Sequence, residues 1–369
     1  MTNRAIAHAR LRNSRLVGAP LASPEAVVGW FGALQAQDVP GALWAIAQRM
    51  PSEPTLPTID SVGAAMDDGR ILRLHALRPT WHFLVPSELR WIQALTGPRV
   101  HQVNASMYRR LGLDTDAFRV TEAAIRDALR GGHALTREEL GSVVAPIRID
   151  LADSFVVTHI AMHAELDATL CNGPRRGKQS TYMLVDERVP PARPLAPADA
   201  LRELTARYFT SHGPALAHDM AWWSGLTVGS VREGIELAGD ALEGRRVEGK
   251  DYWAAAGAFD PTPGLVPDDH ILLLPNYDEA VASYSDYSPA LGEGLSPPNW
   301  VNDSVGAHLV VRDGLVIGGW RRALSRARVT VTATLFNPPA APELAALETA
   351  AQAFGRFLGL PAYLEVKPS

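Results

Sequence analysis

Two glutamines one residue apart, Gln35 and Gln37, are followed directly by a carboxylate, Asp38. Each side chain carries one carbonyl acceptor and two amide donors, and a neutral amide is a poor general base. Taken alone, the pair reads as solvated residues at a helix end. Residues two apart on a helix do not face the same way, so joint action on one target requires an irregular or terminal backbone there. A second set of side chains is suited to phosphates. Arg70, Arg73 and Arg78 fall close together, as do Arg175, Arg176 and Lys178, then Arg245, Arg246 and Lys250, then Arg321, Arg322, Arg326 and Arg328. Arginines also scatter over any surface of this size, so the clusters leave phosphate binding open. The eleven histidines show no H-E-x-x-H spacing, and no glycine-rich phosphate loop is present. Cys171 is the only cysteine, which excludes an internal disulfide and a cysteine-based zinc site. No metal or cofactor is expected.

These side chains sit in a 369-residue chain, enough for two or three domains or several small ones around a shared scaffold. The hydrophobic fraction of 47% and charged fraction of 20% are those of a globular protein. The net charge of -5 argues mildly against a nucleic-acid partner. It is a weak argument, because phosphate contacts need only a local basic patch. Apolar runs such as Ile271 to Leu274 are too short to span a bilayer, and Met1 to Ala5 does not open a secretory signal. A cytoplasmic protein is expected.

The elements that must position the glutamines follow a repeating order. Ser23-Pro24-Glu25 marks a helix start, with a hydroxyl cap, a proline in the first turn and an acid near the positive end of the dipole. Val27, Val28, Phe31 and Leu34 continue at helical spacing, and Gln35 to Asp38 closes the segment. A second helix begins at Pro40 and a third at Thr58 or Asp60. Ile71 to Leu74 and Thr80 to Val85 then read as paired strands. Three short helices and a hairpin form a winged-helix pattern. It returns with Thr121 to Leu129, a capping box at Thr136-Arg137-Glu138-Glu139, a long helix from Asp150 to Leu170 and strands around Thr181 to Val185. A third copy runs from Ala198 through a hairpin at Glu243 to Ala254. Beyond Asp260 strands dominate, with an Asp313-Gly314 hairpin turn and a last helix from Glu343 to Leu358.

Several segments, in order along nearly the whole chain, carry a resemblance. They are Gly32 to Asp38, Arg78 to Val85, Gly173 to Gln179, Ala221 to Leu226, Leu274 to Glu279 and Val316 to Arg322. Together they resemble the AlkZ/YcaQ family of winged-helix DNA glycosylases, and most closely its AlkZ-like members, which are associated with resistance to azinomycin-type toxins. The resemblance implies an α+β fold: three tandem winged helices in a C-shaped arrangement and a C-terminal β-barrel-like domain. Its expected limits are 1–112, 113–190 and 191–260 for the winged helices and 261–369 for the β-rich domain. It also implies that Gln35 and Gln37 are catalytic, as the glutamine–variable–glutamine form of the family motif. Two segments depart from the family pattern, Pro79-Thr80-Trp81-His82 and Asn276-Tyr277-Asp278.

The implied reaction is release of an N7-alkylated purine from double-stranded DNA, including crosslinked purines, by a monomer. Alkylation at N7 makes the base a good leaving group, and the sugar becomes oxocarbenium-like as the base departs. The enzyme then has to steady a cation and position a water. Gln37 would hold the water and Gln35 would orient it or the sugar. Asp38 would supply negative charge or cap the helix near Pro40, and its preference for helix starts favours the cap. His82 lies beside the glutamines or is a satisfied core residue. Asp278 is a further supporting candidate. Arg78, Arg175, Arg176, Lys178, Arg321 and Arg322 are the candidate DNA contacts, with the Gly173 to Lys178 hairpin inserted near the lesion or simply solvated. Trp222 and Trp223 read as packing residues. A non-enzymatic winged-helix regulator and a toxin-sequestering protein are the alternatives.

Overall fold

Residues 2–52, 57–147, 153–192, 194–259, 270–286, 288–291 and 308–368 are described by the computed structural model. The Thr2 hydroxyl caps helix α1 (Asn3–Asn13). The Ser23 hydroxyl accepts from the Ala26 N–H at 3.2 Å, and Pro24 and Glu25 complete the start of α2 (Pro24–Phe31). Gly32 stops that helix with a φ of 81°, a conformation that suits a residue without a side chain. Strand β1 (Leu34–Gln35) follows, then α3 (Val39–Ala47), α4 (Ile59–Asp67), β2 (Leu72–Ala76) and β3 (Thr80–Leu84). The glutamines therefore do not end a helix. The helix stops earlier, and the segment pairs as a short edge strand before bending.

Helix α5 (Pro86–Arg110) leads to a second set: α6 (Thr115–Leu129), β4 (Leu135–Thr136), α7 (Arg137–Val144), α8 (Ser154–Leu166), β5 (Leu170–Asn172) and β6 (Thr181–Leu184). The helix expected from Asp150 to Leu170 is shorter at its end, because Leu170 to Asn172 pair with β6; its expected first residues, 150–152, lie outside the described residues. After the short α9 (Val185–Arg188), a third set contains α10 (Pro197–Ser211), β7 (Ala215–Leu216), α11 (Ala217–Ser224), α12 (Val228–Ala238), β8 (Leu242–Val247) and β9 (Lys250–Ala255). Each set makes a three-stranded sheet in one order: β1-β3-β2, β4-β6-β5 and β7-β9-β8. The short strand before the second helix always pairs with the last strand of the hairpin.

The C-terminal part holds β10 (Ile271–Leu274), α13 (Glu279–Ala282), β11 (Leu309–Arg312), β12 (Leu315–Leu324), β13 (Val329–Leu335), α14 (Ala341–Leu358) and β14 (Ala362–Pro368). Its sheet runs β10-β11-β12-β13-β14 and is open. Among the described residues β10 and β14 stay at its edges, which corrects the expected barrel. The physical reason is the last connection. Helix α14 carries the chain over so that β14 joins β13 in parallel, and its apolar residues Leu347, Phe354 and Phe357 cover the sheet. A covered face has no need to curl closed.

The cores cross these sets. Val27, Phe31, Trp44 and Met66 of the first set share one apolar cluster with Leu273, Trp320, Val331 and Phe354 of the C-terminal sheet and helix. The Trp44 indole donates to the Leu273 carbonyl at 2.8 Å, and Trp320 donates to the Leu274 carbonyl at 2.8 Å. A second cluster joins Leu72, Leu74 and Leu84 to Leu204, Tyr208, Met220 and Trp223 of the third set. The architecture is α+β, with the first set packed between the C-terminal sheet and the third set. No helix of the described residues is long and apolar enough to cross a membrane.

Candidate active site

Gln35 lies opposite His82 across the β1–β3 ladder. The next residue keeps one ladder bond, Ala36 N–H to the Trp81 carbonyl at 2.8 Å. The chain then bends through Gln37 and Asp38 into α3. Because β1 is an edge strand, its outward donor needs a partner, and the Gln35 N–H donates to Glu279 Oε1 at 2.6 Å. The Gln35 side-chain carbonyl accepts from the Gln37 N–H at 2.9 Å, which fastens the bend. Arg73 Nε donates to the Ala36 carbonyl at 3.0 Å. Gln35 is buried, and its amide NH2 has no partner among the described residues; Gln37 is exposed with its side chain unbonded. The backbone is thus irregular between two fixed points. Gln35 has donors to present, and Gln37 has both donors and an acceptor.

Glu279 is the residue that sequence reasoning passed over. It is 1% exposed. Besides the Gln35 N–H it accepts from His212 at 3.1 Å, from the Trp223 indole at 3.0 Å and from the Ser283 hydroxyl. Burial alone would raise its pKa, but the His212, Ser283 and Gln35 donors overcome that and hold it at about 2. The sequence named its neighbour Asp278 instead, and no pattern distinguishes two adjacent acids before the fold is known. Asp278 is committed elsewhere. It takes both guanidinium nitrogens of the buried Arg49, at 2.9 and 2.7 Å, and caps α13 through the Ala280 N–H.

His82 is completely buried. Its Nδ1–H donates to the Thr80 carbonyl at 3.0 Å, and Nε2 has no hydrogen-bond partner. Burial, then the nearby Arg78 charge, pushes its pKa down to about 3, so the ring is neutral. It therefore lies beside Gln35 yet is not a satisfied core histidine. His308 is also lowered, to about 4, by burial and then by Arg322. Asp38 stands at the N-cap position of α3, but its side chain makes no cap hydrogen bond. The cap that its residue type favours is absent because the carboxylate turns to Arg322, 3.1 Å away. Gly41 leaves the space for this: a Cβ there would sit 2.6 Å from Asp38 Oδ2.

The candidate DNA contacts divide. Arg322 is half-buried against Asp38. Arg78 is half-buried too, with its guanidinium carbon 5.2 Å from the Trp222 ring centre. Trp222 is 42% exposed, which corrects its expected packing role, whereas Trp223 is buried. Arg175 is held by Asp67 at 2.7 Å, and Arg176 pairs with Glu139 and the Ala134 carbonyl. Lys178 and Arg321 are exposed and carry no partner among the described residues. The three lysines of the chain are Lys178, Lys250 and Lys367; none contacts either glutamine, and Lys250 pairs with Asp286. His101, His163 and Asp167 bring metal-ligand types within 4.8 Å of one another, but on α5, α8 and the turn after it, among residues that do not touch the glutamines.

A two-glutamine bend, braced by a buried carboxylate and flanked by neutral imidazole and basic side chains, defines a polar site without a strong base. Residues 28–357 match the family described as DNA glycosylase AlkZ-like. The chain belongs to this AlkZ-like DNA glycosylase family. It is similar to an interstrand DNA cross-link repair glycosylase of Streptomyces sahachiroi, 25% identical over 320 residues, covering 82% of this chain and 83% of the relative. Its fold is similar to the solved structure of the Streptomyces sahachiroi DNA glycosylase AlkZ, with a TM-score of 0.78, 21% identity and full coverage of both chains.

Proposed function

We propose that this protein is a monofunctional DNA glycosylase that hydrolyses the N-glycosidic bond of N7-alkylated purines, interstrand crosslinks among them. Family membership supports the activity, and one observation carries the site. Gln35 and Gln37 share a bend whose backbone is held by Glu279, Arg73 and the β3 strand. The N7-alkylated base is already a good leaving group, so positioning and dipoles suffice. Gln37 holds the attacking water through its free carbonyl, and the Gln35 amide donors orient that water or the sugar. Asp38 keeps Arg322 beside the bend, and neutral His82 supports the Gln35 strand from behind. Asp278 acts at a distance, by fixing the helix that carries Glu279.

The three repeated sets are read as winged-helix modules in tandem, within 1–112, 113–190 and 191–260, arranged as a C around duplex DNA, with 261–369 as the C-terminal part. The recurring sheet order supports this reading. A monomer in the cytoplasm, contacting phosphates through Lys178, Arg321 and Arg78, and through Arg175, Arg176 and Arg322 where their acid partners allow, fits it. A regulator or a toxin sequestrant needs no such braced glutamine bend.

Release of the base from duplexes carrying N7-methylguanine or an azinomycin-type crosslink tests the proposal. Wild type should release base, and Gln35→Ala or Gln37→Ala should lose at least about tenfold, or ~1.4 kcal/mol of barrier. Release unaffected by both substitutions would move the chemistry elsewhere. No release from either substrate would remove the activity.

A further inference from the structure

Away from the glutamine bend, the end of α8 brings three metal-ligand side chains together. His163 and Asp167 stand four residues apart, so both fall on one face of the helix. Helix α5 lies alongside and supplies His101, whose ring centre is 4.4 Å from that of His163. His101 Nε2 is 3.0 Å from Asp167 Oδ1, and His163 Nδ1 is 3.2 Å from Asp167 Oδ2. One ligand atom from each of the three residues lies within 4.8 Å of the other two. Ligands bound at ~2.0–2.1 Å to a tetrahedral zinc ion stand about 3.3 Å apart. The two nitrogen–oxygen edges of the triangle already have that length.

The rings are held in place. His163 stacks on Phe118 of α6, with centroids 3.7 Å apart and planes 21° apart. His101 Nδ1 is 3.3 Å from the Tyr108 hydroxyl. A ligating imidazole needs such a partner on its second nitrogen, which keeps the proton there and leaves the other lone pair for a metal. Charge points the same way. Asp167 is the C-cap of α8, the end at which the helix dipole disfavours an anion. No arginine or lysine pairs with it among the described residues; its partners are the two histidines. Burial pushes the His163 pKa down, against the pull of Asp167, so this ring is a neutral ligand and gives the carboxylate little positive charge. The arrangement calls for a cation that takes nitrogen as well as oxygen. Two imidazoles suit a transition metal and not calcium or magnesium. Asp167 is exposed, which leaves solvent within reach of the shell.

We propose that His101, His163 and Asp167 bind one divalent transition-metal ion of the zinc type, with water as the fourth ligand. The ion ties the end of α8 to α5. Strand β5 begins three residues beyond Asp167, and the hairpin after it carries Lys178, so the ion braces the segment from which that hairpin springs. The site carries no step of the base-release reaction.

Zinc chloride alone, added to the full-length chain after dialysis against a chelator, tests this by calorimetry and thermal unfolding. Wild type should bind one equivalent with a Kd of ~10 μM or tighter, and about 100 μM zinc should raise the melting temperature by about 2 °C or more. The same concentration of magnesium should not. His101→Ala, His163→Ala and Asp167→Asn should each weaken zinc at least about tenfold. His133→Ala, at an exposed histidine elsewhere, should not. Asp167→Asn guards against misfolding, because it keeps the side chain's size and lifts an anion from the helix end. Its metal-free melting temperature should stay close to that of wild type. Cobalt(II) in place of zinc gives a reading that needs no variant, since intense visible bands arise only from a four-coordinate site. A weaker Kd for wild type, zinc binding unchanged by the three substitutions, an equal response to magnesium, or weak cobalt bands would each overturn the proposal.

Discussion

The first and second sets contain the same junction, a two-residue strand leading into a helix, and complete it differently. In the second set β4 runs directly into α7. The Thr136 hydroxyl accepts from the Glu139 N–H, and the Glu139 carboxylate accepts from the Thr136 N–H at 2.7 Å, a closed capping box. The third set also closes locally, with the Leu216 N–H donating to Asp219 at 2.9 Å. In the first set three residues, Ala36, Gln37 and Asp38, separate strand from helix, and the helix start has no side-chain cap. The stabilisation comes instead from far along the chain, from Glu279 on the Gln35 N–H and from Arg322 on Asp38. A local rule is set aside at the one junction proposed to carry chemistry. That is where exceptions to local consistency are expected. Remote bracing leaves the bend free to present its side chains while its backbone stays fixed.

The strongest test of this contrast is Glu279→Ala. It strands the Gln35 N–H, His212, the Trp223 indole and the Ser283 hydroxyl in the interior. Losing one member of a buried charged network costs about 3–5 kcal/mol, and urea denaturation should show a fall of that order. If the fall were no larger than the ~1 kcal/mol of a lost helix cap, the remote brace would be unimportant and the two junctions would be alike.

A smaller effect sharpens the same comparison. Thr136→Ala should cost about 1 kcal/mol of stability through its cap, with base release from N7-methylguanine duplexes unchanged. Asp38→Ala removes no cap hydrogen bond and only a partly exposed ion pair, so its stability cost should stay below ~1 kcal/mol. It frees Arg322 beside the glutamines, and base release should fall several-fold. Equal stability losses with equal activity would show that Asp38 is an ordinary cap after all.

The sequence made these junctions legible to different degrees. The capping box at Thr136 to Glu139 is written in four consecutive residues, and the helix start at Ser23-Pro24-Glu25 is equally local. Paired strands at Leu72 to Ala76 and Thr80 to Leu84 follow from their apolar pattern. Strand β1 is hidden because two residues show no period, so by its sequence Gln35 reads as the end of the preceding helix. Strand β14 went unread, and with it the reason why the C-terminal sheet stays open. The glutamine pair came from a resemblance, not from spacing. Glu279 could not be found at all, since its role depends on a contact between residues 244 positions apart. Arg175 and Arg176 looked like free phosphate ligands because the sequence does not reveal that Asp67 and Glu139 face them.

The hairpin after β5 provides the smallest effect and the last contrast, between a charge already paired and a charge left free. Arg175 must give up Asp67 before it can meet a phosphate, and it also ties the hairpin to α4 through its own N–H on the Asp67 carboxylate at 3.0 Å. Lys178, one residue beyond Gly177 with its φ of 62°, stands exposed at the turn with no partner among the described residues. A phosphate contact releases about one counterion, so its loss lowers the log–log salt slope of DNA binding by about one. Lys178→Ala should lower the slope by that amount and leave the melting temperature unchanged. Arg175→Ala should lower the melting temperature and change the slope by much less, because Asp67 loses its partner in the same step and the net charge offered to DNA barely alters. The reverse pattern, a full slope change for Arg175 and none for Lys178, would mean that the Asp67 pair opens on DNA and that the hairpin binds by exchanging its internal ion pair for a phosphate.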